Sequence, residues 1–174
     1  MKAKRHILVA LPVLLFAAAQ SPAHDTMTIS DAVIDRELAE RELALAAAPI
    51  RSRQVLERYI SEGRLRDSGL QRMPLAARTR FLQSLVFNEN GVSSFDYRDI
   101  VSHLEPMEIY AVLSLFGAQR SAGAIPGFAE RARAAGMRWP PEMIEPPVDY
   151  PDKVCAAKAS CATWDGGVCI GSNC

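Results

Sequence analysis

The chain has no cysteine before residue 155, only two lysines after residue 5, and three histidines in all. It contains no G-x-S-x-G elbow, no C-x-x-C pair and no glycine-rich phosphate loop. Serine-hydrolase, thiol-redox and nucleotide chemistries therefore lose their usual local signatures. Ser102 stands beside His103, but neighbours on a helix point in different directions and do not form a dyad. An excess of positive charge is also missing, since 20 basic residues balance 20 acidic ones. Nucleic-acid binding calls for a basic patch or stripe and is not expected.

No apolar run is long enough to span a bilayer, which takes roughly 20 residues. The longest, Ile7 to Ala19, is interrupted by Pro12 and preceded by the basic Lys2, Lys4 and Arg5. A basic start, a short apolar run and small residues after it form the pattern of a cleavable signal peptide. Cleavage after Ala19 or after Ala23 fits the small-residue rule, and the second leaves a polar spacer behind the run. Residues 1–23 are thus read as a signal peptide, with no stable membrane span once it is removed. The mature chain is expected in the periplasm or outside the cell. Losing Lys2, Lys4 and Arg5 leaves 17 basic against 20 acidic groups in it.

The body, residues 24–138, reads as an all-α domain of five to six helices. Ser30 caps a first helix running to about Ala48, and Ser52 a second, with Val55, Leu56, Tyr59 and Ile60 on one side and Gly63 just past its end. Residues 64–73 form a polar connection. Pro74 suits the first position of a third helix striped by Phe81, Leu82, Leu85 and Val86, ending in Asn88-Glu89-Asn90-Gly91. Asp96 caps a short helix whose Tyr97, Ile100, Val101 and Leu104 repeat at helical spacing. Pro106 opens the next, which Gly117 ends, and a last helix runs from about Pro126 to Ala135. No stretch alternates for long enough to predict a strand.

Residues 139–151 hold five prolines and form an extended strap bracketed by Trp139 and Tyr150. All four cysteines, Cys155, Cys161, Cys169 and Cys174, fall in the tail of residues 152–174. An even, clustered set in an exported chain predicts two disulfides, with three pairings open. Zinc sites usually space their cysteines two to four residues apart, and the gaps here are wider, with no histidine nearby.

Two other metal patterns are incomplete. Asn88–Gly91 resembles the calcium loop of an EF-hand, but the positions that need carboxylates hold Val86 and Tyr97. An N-terminal His24 resembles the histidine brace of copper proteins, yet only His103 remains as a partner, on a helix rather than in a β-rich fold. Neither cofactor nor metal is predicted. Glu89, Asp96, Asp99 and His103 are the residues from which an enzymatic site would have to be assembled. By elimination, the sequence predicts an exported, non-catalytic protein that binds another macromolecule: an accessory factor, an inhibitor or an immunity-type protein. The alternative is a small secreted effector or toxin. The binding residues expected are Trp139, Tyr150 and Trp164, because aromatics in loop-rich segments anchor partners.

Overall fold

Helix placement follows the sequence in outline, but the first helix begins at Asp25 and runs through Ser30, the residue expected to cap it. A computed structural model of the chain describes residues 25–138 and 149–174, with side chains from Asp31 onward. The expected signal peptide with both its cleavage positions, His24 and Trp139 all lie outside the described residues. Helix α1 is Asp25–Ala47 and α2 is Arg53–Ser61, capped by Ser52, whose hydroxyl accepts from the Val55 amide. Gly63 follows α2 in the left-handed region at φ 68°, where glycine carries no Cβ penalty. The connection to α3 (Leu75–Ser84) is not merely polar. It contains a 3-10 turn, Gly69–Arg72, and sends Leu65, Leu70 and Met73 into the core.

The all-α expectation fails after α3. The stripe Phe81, Leu82, Leu85, Val86 is cut at Ser84, whose hydroxyl donates to the Phe81 carbonyl and accepts from the Asp96 amide. Such side-chain bonds compete with helix propagation. Leu85 then turns extended, and a hairpin follows: β1 (Val86–Asn88) and β2 (Gly91–Asp96), joined by Glu89 and Asn90. In that turn the Asn88 side chain accepts from the Asn90 amide, which is turn chemistry rather than a calcium ligand set.

Helix α4 (Arg98–His103) and α5 (Pro106–Ser114) come next. Asp96 accepts from the Arg98 amide at the entry to α4, and Glu105 with Glu108 forms a reciprocal capping box on α5. A 3-10 turn, Gln119–Ala124, leads to α6 (Phe128–Ala134).

The tail is a second hairpin, β3 (Asp149–Ala157) and β4 (Ser160–Ile170), so the fold is mixed α/β. Tyr150 and Pro151, read from the sequence as the end of the strap, are already in β3. The antiparallel sheet has the order β1-β2-β4-β3, with Ser94, Phe95 and Asp96 opposite Cys169, Val168 and Gly167. Val168 and Ile170 are buried in one cluster with Phe81, Phe95, Phe116 and Phe128. The end of the chain is therefore packed into the same core as the helices, each such side chain contributing about 1.5–3 kcal/mol of burial. Among the described residues no helix is long and apolar enough to cross a membrane.

A buried ionic cluster ties α1 to the start of β3. Arg41 donates to both carboxylate oxygens of Asp149, at 3.1 and 2.7 Å, and to Glu37 at 2.7 Å. Glu37 also accepts from Arg120, and Arg41 reaches the Ser121 hydroxyl. Burial pushes the Asp149 carboxyl up from its ordinary value, while the Arg41 guanidinium pulls the other way. Removing one partner of such a set leaves a buried charge uncompensated.

Candidate binding surface

The β3–β4 ribbon is sharply folded at one point. Pro151 opposes Val168 and Lys153 opposes Thr163, so the single residue Asp152 faces the four residues Trp164–Gly167. A bulge of this kind bends a ribbon and re-aims its side chains. The cysteines pair as Cys155–Cys174 and Cys161–Cys169. The second bridge joins two residues of one strand, β4, with their Cα atoms 6.2 Å apart. Eight residues of straight strand would separate them by about 26 Å. Cys161–Cys169 thus clamps the ribbon folded, with Trp164–Gly167 at its elbow.

Local chemistry supports the elbow from both sides. Asp152 has φ 54°, a conformation few side chains adopt. Its carboxylate accepts from the Gly166 amide at 3.1 Å and the Tyr97 hydroxyl at 2.9 Å. The Tyr97 amide donates in turn to the Gly166 carbonyl at 2.8 Å. Neither glycine has room for a side chain. A Cβ on Gly166 would lie 2.5 Å from Cδ of Arg98, and one on Gly167 would lie 2.6 Å from the Lys153 carbonyl oxygen. The Trp164 ring lies against Gly167, where a Cβ would come within 3.0 Å of it. Partial burial, together with the Asp152 hydrogen bond and nearby carboxylates, pushes the Tyr97 hydroxyl up to about 12, so it stays a donor.

What this scaffold presents is apolar and wet. Trp164 is 52 % exposed, and the Asp165 side chain beside it is almost wholly in solvent. Tyr150, also half exposed, stands on β3 opposite Cys169, with the Lys153 ammonium 5.8 Å from its ring centre. Of the three aromatics expected to bind, the structure places Trp164 and Tyr150 on one hairpin, Trp164 at the elbow and Tyr150 near the start of β3.

The acidic residues considered for catalysis are arranged differently. Asp96 and Asp99 line one cavity of about 300 Å³ together with Arg80, Arg98 and Ser84. Each acid has its own arginine: Arg98 on Asp96 at 2.5 Å, Arg80 on Asp99 at 2.6 Å. Such pairing holds both carboxylates as ion-pair partners rather than as a free acid and base. Glu89 sits in the β1–β2 turn, at the other end of β2 from Asp96. His103 is the last residue of α4 and is exposed, not partly buried as its place beside an apolar stripe suggests.

Several residues of this surface escape sequence reasoning. Tyr97 reads as core, and its ring does pack there. Its hydroxyl's bond to Asp152 leaves no mark in the sequence, where Asp152 is an unremarked tail residue. The run Asp165-Gly166-Gly167 does carry a signal, because D-G and G-G mark turns. Compared with known proteins, the chain matches no family model, no curated protein and no solved structure.

Proposed function

We propose that this is an exported protein that binds another protein through Trp164, held on the disulfide-clamped elbow of its C-terminal hairpin. One observation carries the reading: a half-exposed indole stands on a backbone excursion that needs a left-handed Asp152, two glycines without room for a Cβ, and a bridge within one strand. Strained, over-determined geometry of this kind collects at ligand clamps. Tryptophan is the side chain most enriched among residues that dominate binding energy. Tyr150 is a second exposed aromatic on the same hairpin. The two disulfides fit an oxidising compartment, the periplasm or the outside of the cell.

The test is quantitative capture from the native envelope with the disulfide-bonded protein and its Trp164→Ala and Tyr150→Ala variants as baits. A partner retained by the parent and lost with Trp164→Ala, at unchanged stability, supports the reading. A partner held equally by all three baits, or none held by any, overturns it.

A further inference from the structure

A second surface, built from other elements, is a cavity lined by cations. The end of α2, the connection after it and the exposed start of α3 enclose a half-open cavity of about 580 Å³. Ile60 and Leu75 line its apolar walls and are 49 % and 69 % exposed, while Leu65 and Leu82 are buried beneath. Every charged residue on the lining is an arginine: Arg53, Arg66 and Arg78. That is unusual in a chain whose charges balance.

The three arginines are not equivalent. Arg53 is committed to the fold, donating to the Leu82 and Leu85 carbonyls. Arg66 and Arg78 have no hydrogen bond or ion pair from their side chains among the described residues, unlike Arg41, Arg80, Arg98 and Arg120. Gly63 makes room for Arg66. A Cβ there would lie 3.0 Å from its Nε, and the backbone φ of 68° already favours glycine. Two uncommitted arginines on the lining of a half-open, largely apolar cavity match a ligand with an apolar tail and a carboxylate head. The volume lies in the range of small-ligand sites.

We propose that this cavity binds a single-chain anionic amphiphile, a free long-chain carboxylate, with its tail between Ile60 and Leu75 and its head between Arg66 and Arg78. The proposal is independent of the partner surface at Trp164.

Dodecanoate, kept below its micelle-forming concentration, is titrated into the disulfide-bonded mature protein and followed by calorimetry and amide chemical shifts. Saturable one-to-one binding is expected, with shifts gathered around Ile60, Arg66, Leu75 and Arg78. The double variant Arg66→Glu/Arg78→Glu is expected to weaken it roughly tenfold or more, and Trp164→Ala to leave it unchanged. Dodecyltrimethylammonium, with the same tail and the opposite head, is expected not to bind there. If the double variant does not fold, Leu75→Asp tests the same cavity at an exposed position. Absence of saturable binding, equal binding of both head groups, or binding indifferent to the charge reversal and to Leu75→Asp would each overturn the proposal.

Discussion

Cys161 and Cys169 belong to one strand, yet their Cα atoms are 6.2 Å apart. Only a strand folded back at Trp164–Gly167, opposite Asp152, satisfies both facts. The bridge therefore sets the shape of the surface as well as adding stability. Converting both cysteines to alanine is expected to cost about 2–4 kcal/mol. In a Trp139→Phe background, Trp164 emission should also shift to the red as the elbow opens. Denaturant midpoints and emission maxima check the two effects separately.

The elbow glycines give a graded steric test. Gly127, at φ 72°, has nothing within 4 Å of a built Cβ, so Gly127→Ala carries only the left-handed penalty of about 1–2 kcal/mol. Gly166→Ala, at φ 80°, meets Arg98 as well and should cost more. Thermal unfolding of the two variants side by side gives the order.

Arg41 and Asp149 provide a charge test. Arg41→Met leaves Asp149 buried without its cation, while Glu37 keeps Arg120, and should cost about 3–5 kcal/mol. The double variant Arg41→Met/Asp149→Leu should lose clearly less than the sum of the single variants. Chemical denaturation of all four proteins closes the cycle.

Tyr97 makes a prediction about pH. Its hydroxyl ionises near 12 in the folded protein against an ordinary 10.0. Between those values the folded chain keeps a proton that the unfolded chain loses. The contribution of Tyr97 to stability is therefore intact below pH 10 and lost as pH rises towards 12. Absorbance of tyrosinate should show a step near 12 that Tyr97→Phe abolishes, and Asp152→Asn should move it to lower pH.

The helices were legible because their signals are local. Ser52, Gly63 and Gly117 each act within a turn of the chain, whereas Ser30, expected as a cap, lies inside α1. The sheet was not, for two physical reasons. Strand β2 is buried from Gly91 through Phe95, so no apolar–polar alternation marks it, and β4 is exposed over its first half and buried over its last residues. Ribbon pairing across the bulge depends on Asp152, whose role appears only when Tyr97 and Gly166 are brought to it from elsewhere in the chain. The disulfides were readable as a set, but their nesting required the fold. Trp164 was singled out as an aromatic in a loop-rich tail, without any indication of how it is held.

The most direct test of the central claim is the affinity of the captured partner for the parent protein and for Trp164→Ala, measured at matched stability. A loss of about 2 kcal/mol or more, roughly thirtyfold in Kd, is expected, with a smaller loss for Trp164→Phe. An unchanged Kd in Trp164→Ala would contradict it and leave the elbow as structure alone.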